Sequence, residues 1–316
     1  MSSAITELTD LATASDRFGY SHDDLYPTQL AALDERFQDR RERIKLLRHR
    51  IDETETTAIR TLADAVPLLF PHSVYKSYPE RFLAEQQWDR LATWLNSLSS
   101  HPIDPVETAG IDGIDDWIER LAAAGHHVSC TSGTTGKSAM LIGSDADIDW
   151  AARDTVNVFT WGSGIEPTRD RRMVGLASSA VTPRNSAVGA AQQAAFSDPE
   201  KERFGLPILP ITVGTLTAMV VLRKKVADGA ASPEELATYE RTSQQRQAAL
   251  DKALVVGAEA LTGYRDEKLY ISGMWNMLYQ VAAIVRDMGY SGADFHPGNC
   301  IYVAGGRKGA QLPENY

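Results

Sequence analysis

The stretch HVSCTSGTTGKSAML, His127–Leu141, decides how this chain of 316 residues is read. Five hydroxyl side chains (Thr131, Ser132, Thr134, Thr135, Ser138), two glycines (Gly133, Gly136) and Lys137 fill eight consecutive positions. On one side "HHVSCTS" reads as a strand; on the other "SAMLIG" reads as its return strand, so a hairpin is predicted. Gly133 and Gly136 allow a tight turn and let a ligand approach the main-chain N–H groups closely. A concavity of N–H and O–H donors finished by an ammonium is what a polyphosphate requires. A Gly/Ser/Thr turn that merely joins two strands is the plainer reading of the same residues.

The ending Gly136-Lys137-Ser138 also matches the close of the Walker A loop, G-x-x-x-x-G-K-[ST]. Its opening glycine is missing: Thr131 stands where the first glycine belongs, and Gly133 comes too late to wrap phosphates in that way. The context differs as well, because a Walker A loop opens a helix and the residues after Lys137 have strand character.

Upstream of the loop the apolar pattern is helical. Leu30, Leu33, Phe37, Ile44, Leu47 and Ile51 recur at helical spacing and predict one helix across 27–53, with Pro27 at its opening. Further helices are predicted within 54–66, ended by Pro67, and within 79–98, where Phe82, Leu83, Trp88, Leu91 and Leu95 form the stripe. Arg40, Arg41, Arg43, Lys45, Arg48 and Arg50 are interleaved with acids and read as a solvated helix face. Residues 1–110 are therefore expected to be a helical N-terminal region.

From 111 to 316 short β-rich runs alternate with helical ones. "SDADIDWAARDTVNVF" predicts a helix capped by Ser144 or Asp145; "RRMVGLAS" and "LPILPITV" predict strands, and "GTLTAMVVLRKKV" a helix. Ser232, Pro233 and Glu235 form a capping-box start for the helix that follows. "KLYISG", "MWNMLYQVAAIVRDMG" and "CIYVAGG" then give strand, helix, strand. The expected fold is a layered α/β domain with a partly parallel sheet, preceded by the helical region.

The formal net charge of -10 argues against a nucleic-acid partner, since backbone binding rests on clustered Lys and Arg. Two cysteines, Cys130 and Cys300, are too few for a disulfide framework, and the seven histidines are scattered without metal-ligand spacing. Cys130 reads as a small strand residue rather than a nucleophile, since no base is identifiable beside it. No signal-peptide core and no apolar run long enough for a membrane span is found, so a cytoplasmic protein is expected.

Thr131–Lys137, TSGTTGK, resembles the phosphate-binding motif [ST]-[ST]-G-T-T-G-x-P-K of the adenylate-forming superfamily: acyl-CoA synthetases, peptide-synthetase adenylation domains and luciferases. The lysine at the seventh position is most similar to the branch of phenylacetate-CoA ligases and LuxE-type acyl-protein synthetases. The resemblance implies the large N-terminal α/β domain of such an enzyme, with ATP and Mg²⁺ as cofactors. It implies activation of a small-molecule carboxylic acid as acyl-adenylate, followed by transfer to a thiol of CoA or of a carrier protein. By position, Thr131, Ser132, Thr134 and Thr135 would donate to the phosphate oxygens, Gly133 and Gly136 would supply the turn, and Lys137 would neutralise charge. The chain departs from the motif at Ser138, where proline is usual, and at Ala139, where lysine is common.

"IYVAGGRKG", 301–309, resembles the strand-ending Gly-Gly turn that lies along the adenine ring in that superfamily, which makes Gly305 and Gly306 candidates. Ser178, Ser179 and Gly273–Trp275 are secondary candidates for bordering an acyl pocket. The superfamily's downstream Y-G-x-T-E segment, ribose-binding Asp and C-terminal lysine find no counterpart here. The chain is thus expected to correspond to the N-terminal part of such an enzyme. A non-catalytic nucleotide-binding or partner-dependent remnant, and a P-loop-type NTPase, are the alternatives.

Overall fold

Ser21, rather than Pro27, sets the start of the first long helix. Its side chain accepts from the Asp24 N–H while Asp24 accepts from the Ser21 N–H, a reciprocal cap that satisfies two donors of the first turn. Pro27 consequently lies inside the helix. The structure, a computed structural model, describes residues 3–14, 16–103, 105–131, 137–177 and 182–304. The chain divides into two compact units, 1–148 and 149–316.

The first unit opens with helices α1 (Ala4–Thr13), α2 (His22–Arg41) and α3 (Lys45–Thr54). The single helix expected across 27–53 is broken between Arg41 and Lys45. A helix of that span would be about 40 Å long and would leave its apolar stripe uncovered. The break turns α3 back, so that Phe37, Ile51, Ile59 and Leu68 form one core with Leu30, Leu33 and Leu47 against it. The helix expected within 54–66 shrinks to α4 (Leu62–Ala65) with a 3₁₀ turn over Val66–Leu68.

The helix expected within 79–98 is likewise two pieces, α5 (Arg81–Ala84) and α6 (Trp88–Asn96), parted by Gln86 at φ 53°. That left-handed turn disfavours a side chain bearing a β-carbon. Beyond it Trp88 stacks on Trp117 of α7 (Ile114–Ala123), with centroids 5.6 Å apart. Helix α7 buries Ile114, Trp117, Ile118 and Leu121 on one face, and Gly125 at φ +82° turns the chain into the first strand.

Strands β1 (His126–Cys130) and β2 (Met140–Ser144) pair antiparallel, from His126 opposite Ser144 to Cys130 opposite Met140. Both match the runs read from sequence. Helix α8 (Asp145–Ser163) follows at once. Its start is fixed by Ser144: the hydroxyl accepts from the Asp147 N–H, and the Asp147 carboxylate accepts from the Ser144 N–H.

The second unit holds a parallel sheet of β3 (Arg172–Leu176), β4 (Phe204–Gly205), β5 (Leu269–Met274) and β6 (Cys300–Ala304), in the order β4-β3-β5-β6. Helix α9 (Pro183–Phe196) links β3 to β4. Helices α10 (Val213–Ala227) and α11 (Pro233–Gly263) link β4 to β5, and α12 (Trp275–Asp287) links β5 to β6. The strand predicted across "LPILPITV" is not formed: the pairing stops at Gly205, and Pro207 and Pro210 have no N–H to give a ladder.

Alternate residues of the strands feed two cores. Val174, Leu176, Leu269 and Ile271 pack with Leu254 and Leu261 of α11 and Met277 and Val281 of α12. Met173, Tyr270 and Cys300 face the other way, against Phe159 of α8 and Phe196 of α9. Helices therefore cover both faces, and the strand order reverses between β3 and β5, as in doubly wound sheets. The protein is a mixed α/β fold with a small parallel sheet.

Candidate phosphate loop

Thr131 and Ala139 close the β1–β2 hairpin one step beyond the ladder. The Thr131 N–H donates to the Ala139 carbonyl at 3.0 Å, and the Ala139 N–H donates to Thr131 Oγ1 at 2.9 Å. Because Oγ1 serves as acceptor in that bond, its own hydrogen is left for a further acceptor. The loop thus leaves and returns at one closed neck, which explains why a hydroxyl residue suits position 131.

At the far side of the neck Lys137 turns its ammonium onto the carbonyl oxygen of Tyr78 and over the Tyr78 ring, 4.1 Å from its centroid. The Tyr78 hydroxyl donates to the Ser138 carbonyl at 2.8 Å. Burial pulls the Lys137 ammonium below the usual lysine range, and Glu80 opposes that pull by favouring the charged form. Ser138 is buried, and its Oγ has no hydrogen-bond partner among the described residues. Burial raises the Tyr78 phenol well above its ordinary value, so it remains a donor at any physiological pH.

Cys130 sits at the last position of β1, beside the neck. Burial, with a smaller contribution from Asp115, pushes its thiol up to about 12. It is thus a thiol and not a thiolate near neutrality, which agrees with its reading as a strand residue. Cys130 and Cys300 are both free. His127 bonds through Nε2 to Asp145 Oδ1 at 2.6 Å and ties β1 to the first turn of α8.

Of the residues singled out in the sequence, Thr131 and Lys137 are brought to this neck. Ser132, Gly133, Thr134, Thr135 and Gly136 lie outside the described residues. Gly305 and Gly306 do so too; β6 ends at Ala304, directly before them. Ser178 and Ser179 are also outside, while Gly273 and Met274 form the C-terminal end of β5 and Trp275 begins α12. Gly273 lies opposite Leu176, at the place where the strand order reverses. An open groove lined by Gln86, Gln87, Arg90, Thr108 and Ile111 collects none of these candidates that lie among the described residues.

Tyr78 escaped the sequence reading. It precedes Pro79 in a stretch with neither helical nor strand periodicity, and nothing local ties it to a loop some sixty positions away. Among the described residues no helix is long and apolar enough to cross a membrane. Comparison of the chain with protein-family models, with curated proteins and with solved structures finds no match.

Proposed function

We propose that this chain supplies the nucleotide-phosphate loop of a cytoplasmic, ATP-dependent carboxylate-activating enzyme of the adenylate-forming type, corresponding to the N-terminal α/β domain of such an enzyme. The observation that carries this reading is the sequence Thr131–Lys137 held at a closed antiparallel neck, with a lysine ammonium at its exit. A Walker A reading draws no comparable support, because strand β2 and not a helix follows Lys137.

In this reading the carboxylate of a small organic acid attacks the α-phosphorus of ATP. The bond between the α- and β-phosphates breaks, pyrophosphate leaves, and an acyl-adenylate forms. A thiol of CoA or of a carrier protein then attacks the acyl carbon and releases AMP. The chain's own part is positioning and charge stabilisation. Thr131, Ser132, Thr134 and Thr135 donate hydrogen bonds to the β- and γ-phosphates, Gly133 and Gly136 let the backbone close around them, and Lys137 offsets their charge. Mg²⁺, when bound, would supply further charge neutralisation. Among the described residues no group of three or more His, Cys, Asp or Glu side chains is placed to hold a metal, so no protein ligand is assigned to the ion.

By the resemblance, Gly305 and Gly306 would serve the adenine ring, where a β-carbon would intrude.

The test is carboxylate-dependent exchange of labelled pyrophosphate into ATP, run with the full chain, Mg²⁺ and a panel of carboxylic acids, with products separated as AMP or ADP. Acid-dependent AMP and pyrophosphate support the proposal. ADP and phosphate formed without acid support a P-loop-type NTPase, and nucleotide binding without turnover supports a binding protein. Absence of both binding and turnover overturns the phosphate assignment itself.

A further inference from the structure

Tyr78 touches both sides of the loop's exit from a distant part of the chain, and four observations converge on it. Its hydroxyl donates to the Ser138 carbonyl at 2.8 Å. Its carbonyl accepts from the Lys137 ammonium. Its ring lies under that ammonium, 4.1 Å from nitrogen to centroid. Its side chain is held from behind, only 2% exposed and set edge-on against Trp94 at 5.0 Å, while Trp94 Nε1 donates to Ser77 Oγ at 2.9 Å.

We infer that Tyr78 is a positioning residue for Lys137, holding the ammonium at the mouth of the loop so that its charge meets the terminal phosphates of a nucleotide. The inference rests on the phosphate reading of the loop given above. A free lysine head is a hydrated point charge on a four-carbon stem and samples many rotamers. Here one of its three N–H donors goes to the Tyr78 carbonyl, and among the described residues the other two meet no acceptor and can serve a ligand. The ring quadrupole attracts the cation without using a donor. The hydroxyl bond to Ser138 fixes the segment just before β2, which carries the lysine, relative to the ring that receives it. Tyr78 therefore acts on the charge-bearing end of the ligand alone. Its effect should separate ATP from AMP, which lacks the β- and γ-phosphates.

The experiment compares the wild-type chain with Tyr78→Leu, Tyr78→Phe, Lys137→Met and the Tyr78→Leu/Lys137→Met double variant. Two readouts are taken: dissociation constants for Mg-ATP and for AMP by calorimetry, and competitive acetylation of lysines with limiting acetic anhydride, read by peptide mass. Tyr78→Leu is expected to weaken ATP about fivefold, the worth of a cation–π contact, and to leave AMP unchanged. In the double variant it is expected to add nothing to Lys137→Met, since both remove one interaction. Tyr78→Phe keeps ring and carbonyl and should fall between wild type and Tyr78→Leu; it also carries the comparison if the leucine variant does not fold.

Lys137 in the wild type should acetylate more slowly than the exposed lysines and should speed up in Tyr78→Leu. Equal loss of ATP and AMP affinity, or additivity with Lys137→Met, overturns the inference. If the wild type binds neither nucleotide, the phosphate reading fails. Acetylation then decides the Tyr78–Lys137 hold by itself: Lys137 reacting as fast as the exposed lysines overturns it, and protection lost in Tyr78→Leu upholds it.

Discussion

Gly273 faces Leu176 across the β3–β5 pairing, and a β-carbon added to Gly273 would lie 2.7 Å from the Leu176 carbonyl oxygen and 3.0 Å from the Leu278 side chain. The carbonyl belongs to a paired strand and cannot retreat cheaply. Gly273→Ala is therefore expected to destabilise the second unit by about 1–3 kcal/mol, the usual cost of overpacking. A urea midpoint equal to that of the wild type would show that the two strands have slack at this point.

Thr131 accepts the Ala139 N–H through its side chain. Thr131→Val keeps the shape and loses the acceptor, which leaves that N–H without its side-chain partner and costs about 1 kcal/mol. Thr131→Ser should restore most of the loss. If the loop binds phosphate, the valine variant also loses ATP affinity. Valine and serine variants of equal stability in chemical denaturation would contradict the role given to the hydroxyl.

Trp117 is completely buried and stacked on Trp88. Truncation by Trp117→Ala is expected to cost about 3–5 kcal/mol, the range for deleting a large aromatic from a core. Since the first unit also carries the hairpin, this variant should lose the near-ultraviolet circular dichroism of its tryptophans at a lower denaturant concentration.

Glu267 accepts from Arg172 and pairs with Lys201, and these partners, the Arg172 hydrogen bond first, hold its carboxyl below the ordinary glutamate value of 4.5. The folded form thus favours the carboxylate. The resulting stability is present above the unfolded value and is lost as pH falls through the lower folded one. Glu267→Gln should cost at most about 1 kcal/mol at neutral pH, given the partial exposure of the group. Below pH 4.5 the stability gap between variant and wild type should close; a gap that stays constant to low pH would falsify the linkage.

Cys130, its thiol pushed up to about 12 by burial, should resist alkylation in the native chain at neutral pH and react on unfolding. Iodoacetamide labelling followed by peptide mass spectrometry checks this. Rapid native labelling would reopen the case for a nucleophile beside the loop.

Features with a local cause were legible in the sequence. The period-two runs beside the glycine-rich segment gave both strands of the β1–β2 hairpin. Ser232 and Glu235 announced the start of α11, because a capping box needs only four residues to form. Pro207 and Pro210 were just as local a signal against a strand. They were outweighed by the apolar content of "LPILPITV", where a missing N–H defeats hydrophobicity.

The sequence by itself thus determined the alternation of strands and helices and placed a hydroxyl- and glycine-rich loop with its lysine between two strands. Each of those properties depends on neighbours within a turn or two of chain. Tertiary structure alone decided that the helical run through 27–53 breaks at 42–44, because its two halves must cover each other's apolar stripe. It alone decided the strand order β4-β3-β5-β6, which follows from which helices cover which face. It alone set Tyr78 under Lys137. Contacts across such separations depend on the packing of the whole unit, and no local spacing encodes them.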